Sequence, residues 1–312
     1  MRDARRVSVA VPLFNEETSI RELIARTVAV LEQIPGGPHE IVFVDDGSSD
    51  RTFELLEKAC RRDSRLVAVN LSRNFGHQAA LSAALDHVTG DVVVVMDGDL
   101  QDPPEAIPQL LEEYRHGYDV VYAVRKDRKE GPILRLCYYS FYRLIALLAH
   151  IHLPIAAGDF GLMSLQVVDS IRGMREQHPY LRGLRAWVGF SQTGVPVERR
   201  KRHSGESKYN WRRLLMLAFD GIFSFSVVPI RIAFLMGAAA VMTTFAYTAY
   251  SVAMKLFYHE SPKGFTALIV AVTFLAGVQL SFLGIIGEYV GRIFEEVKQR
   301  PRYVVRRVVG RS

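Results

Sequence analysis

The sequence predicts an α/β domain on a Rossmann-like, mainly parallel sheet, followed by a two-helix transmembrane hairpin with interfacial helices. Three observations carry this. Strand-like and helix-like segments alternate up to about residue 125. Val92–Met96 is a short apolar run that ends in Asp97, Asp99 and Asp102. A strand buried on both faces does this on reaching the carboxyl edge of a parallel sheet, where such sheets bind ligands. Two long apolar runs occupy the carboxyl-terminal third, with basic residues flanking them.

Taken in order, strands are expected at Val7–Pro12, Glu40–Asp45, Leu66–Asn70, Val92–Asp97 and Asp119–Ala123. Ile20, Leu23, Ile24, Thr27, Val28 and Leu31 recur at helical spacing, and Glu16, Glu17 and Thr18 suit that helix's amino terminus. Asp45–Asp50 supplies turn and cap chemistry before a helix around Thr52–Cys60. Asp102-Pro103-Pro104-Glu105 reads as a further helix start. No G-x-G-x-x-G follows the first strand, so a dinucleotide fingerprint is absent. From Pro132 to Leu153 aromatic and aliphatic residues are interrupted by Arg135 and Arg143, which fits either a core helix or one in the bilayer interface. Residues 211–226 form a second candidate interfacial helix.

Ile232–Met254 is an uncharged run of 23 residues, enough to cross a bilayer. Phe265 to about Gly287 is a similar span, and Tyr258–Gly264 is the turn between them. Arg212, Arg213 and Arg231 precede the first span; Arg292, Lys298, Arg300, Arg302, Arg306 and Arg307 lie at or beyond the end of the second. The positive-inside rule then puts both ends in the cytoplasm. The amino-terminal apolar run is too short for a signal peptide and lacks a small-residue cleavage site, so the first domain is expected there too. The expected division is 1–210 (catalytic), 211–230 (interfacial helix), 231–292 (hairpin) and 293–312 (basic tail), with the protein in the cell's inner membrane.

The formal net charge of +6 admits nucleic acid, anionic lipid or phosphorylated substrates. Its placement around the apolar runs favours a membrane over nucleic acid. Cys60 and Cys137 fit neither a disulfide framework nor a zinc site.

Asp97 and Asp99, with Gln101 two further on, can converge on one hard cation, which also binds substrate phosphates. The alternative is an acidic turn capping the next helix. Strand one ends in Val11–Glu17, strand two in Val44–Asp50 and strand four in the aspartate pair; all three open on one sheet edge. Acids there can accept from a nucleobase N–H or a ribose hydroxyl, and a divalent ion can hold a diphosphate.

VPLFNEE at 11–17, VDDGSSD at 44–50, LSRNFGHQAAL at 71–81, MDGDLQDPPE at 96–105, GDFGLMS at 158–164 and SGESKY at 204–209 occur in this order, before the membrane hairpin. In this the chain resembles the inverting family 2 glycosyltransferases of GT-A fold. It is most similar to their polyprenyl-phosphate branch, which includes dolichol-phosphate mannose synthases and bactoprenol glucosyltransferases. The resemblance covers essentially the whole chain. It implies that Pro12, Phe14, Asn15 and Glu16 line the donor nucleotide, and that Asp46, with Asp45, holds base or ribose. It implies that Asp97, Asp99 and Gln101 hold Mg²⁺ or Mn²⁺ against the diphosphate, with Asp97 also on the nucleotide side and Asp99 catalytic. Asp45 has a simple Asx turn as its alternative role. Arg73 and His77 fall in the motif at 71–81, His77 toward the donor site.

A lipid phosphate already carries close to one and a half or two negative charges near neutral pH, so its oxygen needs no strong base. It needs positioning by cations. Arg125, Arg135, Arg202 and Lys208 are the candidates, against the alternative that juxtamembrane cations merely set orientation. Asp159 occupies the position where related enzymes place a catalytic carboxylate, to orient the acceptor or contact a sugar hydroxyl. Some relatives have arginine where this chain has Gly161. The resemblance further implies a homo-oligomer, with a tetramer as the expected form.

The expected activity is transfer of one sugar from a nucleotide-sugar, UDP-glucose first and GDP-mannose as the alternative, to undecaprenyl phosphate. A processive polymerase is disfavoured because two spans cannot build a polymer channel and Arg182–Trp187 does not match Gln-x-x-Arg-Trp. A nucleotidyltransferase would not need the hairpin. A non-enzymatic adaptor would not need the intact Asp97, Asp99 and Gln101.

Overall fold

The computed structural model describes residues 6–125, 157–174, 176–177, 179–198, 228–258 and 264–310. The chain forms two units, Met1–Leu214 with Arg300–Ser312, and Leu215–Gln299.

In the first unit, β1 (Val7–Leu13), β2 (Glu40–Asp45), β3 (Leu66–Leu71) and β4 (Val92–Val95) are parallel neighbours, and their residues are buried throughout. This is why they read as near-continuous Val, Ile and Leu runs rather than alternating ones. β5 (Val120–Arg125), β6 (Ala157–Ser164), β7 (Gln192–Val197) and β8 (Val305–Val309) complete the sheet, with order β7-β5-β6-β4-β1-β2-β3-β8 among the described residues. β6 runs against β4 and β5, and β8 against β3, while β7 is parallel to β5.

Side chains alternate between two cores. Val9, Val11, Ile41, Phe43 and Val94 face the core shared with α1 (Ile20–Leu31), α2 (Thr52–Cys60) and α4 (Ile107–Arg115). Ala10, Val42, Val44, Val93 and Val95 face the core shared with α3 (His77–His87), α5 (Leu165–Gly173) and α6 (Leu181–Trp187). Each fully buried Val, Leu or Ile contributes roughly 1.5–3 kcal/mol.

The structure departs from the sequence expectation at several points, including β5, which runs on to Arg125, and β7, which was not expected. The fourth strand ends at Val95, not Asp97: Met96 N–H still donates to Ala10 O at 3.1 Å, but Leu100 takes a φ of 57° and the chain turns out of the sheet. The first turn after Pro103 is a 3₁₀ turn at Pro104–Ala106, leading into α4. β6 was not expected because Gly158, Asp159 and Gly161 are weak strand formers. It forms because β4 and β5 each supply a ladder, and a Cβ on Gly161 would lie 2.6 Å from Val121 O. β8 falls in the stretch expected as a basic tail. Its paired arginines hide the strand pattern, and exposed charge is what an edge strand tolerates.

The second unit contains α7 (Val228–Tyr258) and α8 (Phe265–Val297), both long and apolar enough to cross a membrane. At ~1.5 Å per residue each exceeds the ~30 Å hydrocarbon core. Phe245 and Phe257 are three-quarters exposed, as lipid-facing side chains are. The hydroxyls of Thr243, Thr244 and Ser281 donate to the carbonyls of Ala239, Ala240 and Gly277 one turn earlier, so these three donors are satisfied within their own helices. Arg292 pairs with Glu288 at 2.9 Å, as their four-residue spacing predicts. The candidate interfacial helices at 132–153 and 211–226, and Cys137, lie outside the described residues.

Candidate active site

The carboxyl ends of β1, β2, β3 and β4 meet around a cavity of about 660 Å³. Pro12, Phe14 and Glu16 come from the first strand end, Asp46 from the second, Asn74, Gly76 and His77 from the third, and Asp97 and Asp99 from the fourth.

The loops are held to one another by side chains. Asn15, with φ 55°, receives a hydrogen bond on Oδ1 from Ser49 N–H at 2.9 Å and donates its own N–H to Ser48 Oγ at 2.9 Å. The left-handed backbone suits asparagine. Thr52 Oγ1 accepts from Glu16 N–H at 2.9 Å, and Glu16 Oε2 accepts from Ser19 Oγ at 2.8 Å. Asp45 is fully buried; its Oδ2 accepts from Asn70 Nδ2 at 2.6 Å and from Ser48 N–H at 3.3 Å. Burial pushes its carboxyl up despite these bonds.

Asp46 clamps the next loop. Its two carboxylate oxygens accept from Phe75 N–H at 2.7 Å and Gly76 N–H at 2.9 Å. Burial still raises its carboxyl above the ordinary range. Gly47 makes the approach possible: its φ is +67°, and a Cβ there would sit 2.5 Å from Arg73 C. Gly47→Ala should cost about 1–3 kcal/mol of stability and loosen the loop at residues 73–76, because both the backbone angle and the loop must shift. Thermal unfolding and deuterium uptake at residues 72–77 check this; unchanged values in both would mean that Gly47 does not hold the loop.

His77 Nε2 lies 3.7 Å from Asp97 Oδ1 and 3.9 Å from Asp159 Oδ2, so it stands between the two acids. Asp159 is only 11% exposed and is gripped by Arg182. Nε donates to Oδ1 at 2.6 Å and one terminal nitrogen to Oδ2 at 2.8 Å. Burial alone would raise this carboxyl, but the Arg182 hydrogen bonds and charge outweigh it and hold the pKa below the ordinary value. Arg185 is buried, donates to Gly158 O at 3.2 Å and lies over the Tyr122 ring. Burial lowers its pKa to about 10, opposed by Asp159.

Of the residues expected from sequence, Pro12, Phe14, Glu16, Asp46, Asp97 and Asp99 line the cavity. Asn15, Asp45 and Gln101 do not stand on its wall. Asn15 and Asp45 tie loops together, and Gln101 N–H donates to Asp99 Oδ1 at 3.1 Å. Asp159 adjoins the cavity through His77. Arg125 ends β5, its backbone opposite Val197. The Arg125 side chain, Arg135, Arg202 and Lys208 lie outside the described residues. Arg182 and Arg185 were not expected at the site. Arg182–Trp187 carries no recognisable motif, and nothing local announces a partner 23 positions away.

Among the described residues no three His, Cys, Asp or Glu side chains are grouped as a closed metal site. A divalent ion that binds nucleotide diphosphates takes one or two carboxylates and completes its shell from phosphates and water. Asp97 and Asp99 on the cavity wall fit that donor set.

The model of glycosyl transferase family 2 matches residues 8–172, and that of the GtrB C-terminal hairpin matches residues 228–293. The chain is 42% identical to the uncharacterized glycosyltransferase YkcC of Bacillus subtilis, over 97% of this chain and 94% of the relative. It is 38% identical to the prophage bactoprenol glucosyl transferase homolog of Escherichia coli, over 97% and 99%. It is 35% identical to the undecaprenyl-phosphate 4-deoxy-4-formamido-L-arabinose transferase of Edwardsiella ictaluri, over 97% and 94%. These matches span both the sheet that builds the cavity and the apolar helix pair, and the chain belongs to glycosyl transferase family 2.

Proposed function

We propose that this protein transfers a single sugar from a nucleotide-sugar to a polyprenyl phosphate with inversion at the anomeric carbon. The best-supported donor is UDP-glucose and the best-supported acceptor is undecaprenyl phosphate. The observation that carries this is one cavity where Asp46, Asp97 and Asp99 converge, on a GT-A-type chain that continues into a membrane-length helix hairpin. Two relatives are named for a bactoprenol or undecaprenyl-phosphate reaction but for different sugars. That favours the lipid carrier more strongly than glucose.

The chain's residues divide the work. Pro12, Phe14 and Glu16 face the nucleoside side of the cavity, while Asp46 fixes the loop that closes it. Asp97 and Asp99 would hold Mg²⁺ or Mn²⁺, whose chemistry when bound is to neutralise charge on the departing diphosphate. Asp159, kept ionised by Arg182, orients the sugar or acceptor; a phosphate oxygen is already nucleophilic and needs no strong base. Arg125, Arg135, Arg202 and Lys208 are the proposed phosphate clamp.

Support for a cytoplasmic catalytic unit with both ends on one side comes from β8. The chain beyond the second long helix is a strand of the same sheet that precedes the first. A two-span hairpin returns the chain to the side it left. The positive charge flanking the spans supports the cytoplasmic side of an inner membrane. Assembly as a homo-oligomer remains part of the proposal.

The test is transfer from labelled UDP-glucose, UDP-N-acetylglucosamine and GDP-mannose to undecaprenyl phosphate in detergent, with and without Mn²⁺ or Mg²⁺. One sugar should enter the lipid phase, dependent on metal. If folded protein neither transfers nor binds any of these donors, the proposal is wrong.

A further inference from the structure

The carboxyl-terminal segment Arg300–Gly310 does more than cover a sheet edge. β8 pairs with β3 up to Leu71 opposite Val305. Beyond the ladder, Val304 O accepts from Ser72 N–H at 2.8 Å, and the Arg306 guanidinium donates to Ser72 O at 3.0 Å. Both polar backbone groups of Ser72 are therefore held by the segment. Tyr303 OH donates to Asp86 on α3 at 2.6 Å, and Tyr303, Val305 and Phe75 pack against one core. Arg302 donates to Met174 O, and Gln177 Nε2 donates to Arg300 O at 2.8 Å.

The loop so gripped, residues 72–76, runs straight into the cavity wall. Asp46 fastens its other end at Phe75 and Gly76, and Asn74, Gly76 and His77 line the cavity beside Asp97. We propose that the carboxyl-terminal segment, through Tyr303 and Arg306, is a positioning element for this loop and sets the affinity of the donor site. The activity arm of the claim rests on the function proposed above. A loop fixed at one end can swing about that end; fixed at both, it presents Asn74 and His77 at one geometry, and donor binding no longer bears the cost of ordering it.

The experiment compares Arg306→Ala/Tyr303→Phe, Arg306→Lys and Arg307→Ala in the full-length protein. Arg307 supplies the contrast: it pairs with Glu57 at 2.8 Å and lies over Phe53, both on α2, away from the loop. The double variant should raise the donor KM about five- to tenfold with kcat within about twofold, the scale of losing one ordinary net hydrogen bond. It should speed deuterium uptake at residues 72–77 and leave β1 and β2 unchanged. Arg306→Lys, which keeps one donor for Ser72 O, should recover most of the KM. Arg307→Ala should move neither quantity. Unchanged uptake at 72–77 in the double variant overturns the proposal. So does an equal effect from Arg307→Ala, which would mean the segment only adds stability. If wild-type protein transfers no sugar, the exchange arm still decides the loop claim while the functional reading fails separately.

Discussion

Asp99→Asn is expected to lower sugar transfer by about 10²–10³-fold, the cost of removing one group that stabilises charge in the transition state. The substitution is chosen for what it keeps. The amide oxygen of asparagine can still accept from Gln101 N–H, so the turn around Leu100 survives. What goes is the negative charge that, with Asp97, would hold a divalent ion against the diphosphate. The wild-type rate should rise with Mn²⁺ or Mg²⁺, and the variant's rate should respond weakly. Activity within about threefold of wild type, with wild-type metal dependence, would take Asp99 out of the machinery.

Arg182→Ala carries the second large effect. It strands the Asp159 carboxylate, which is 11% exposed and hydrogen-bonded to Arg182 through both oxygens. Breaking such a pair costs about 3–5 kcal/mol, because one charge stays buried without its partner. The pH dependence follows from the sign of the shift. In the native protein the Asp159 pKa lies below its unfolded value of 3.8. Its contribution is therefore present above pH 3.8 and lost as pH falls through the folded value. Without Arg182, burial dominates and the folded pKa rises. The variant's deficit is then full at neutral pH and shrinks as acid protonates the buried carboxyl. Unfolding midpoints of the two proteins should converge between pH 7.5 and pH 4.5. A constant gap would mean the loss comes from packing rather than charge. Asp159→Asn/Arg182→Gln should be milder than the sum of its single changes, since neutral partners leave no buried charge.

How much of this was legible in sequence depends on whether the signal was local. Glu40–Asp45 and Thr52–Cys60 emerge at the bounds their patterns predict, because a doubly buried strand and an amphipathic helix write their surroundings into consecutive residues. The helix pair was legible for the same reason: bilayer length demands an uninterrupted apolar run. Three strand ends at one edge followed from the parallel alternation, and Asp46, Asp97 and Asp99 do meet there. The misses were non-local. β6 is specified by the two strands it slips between, not by its own glycines and aspartate. Arg182 matters because it meets Asp159 across the fold, and Asn15 and Asp45 carry loop-tying bonds that motif membership alone does not distinguish from ligand contact. The motif marks His77, but its place between Asp97 and Asp159 is set by the meeting of three chain segments distant in sequence.

The order of synthesis gives β8 a further consequence. β3 leaves the ribosome well before its outer neighbour, which is made only after both long helices. At translation rates of roughly 5–20 residues per second, the β3 edge stays open for roughly 10–50 s. An open edge of hydrophobic strand is a template for pairing with another chain. During that interval the nascent protein has to shield the edge while its apolar helices are being inserted. A chain released short of Val305 would carry a complete set of cavity acids on a sheet that was never closed at one side. Quality control that reads exposed strand edges would thus distinguish chains with and without Val305–Val309, before any catalysis took place.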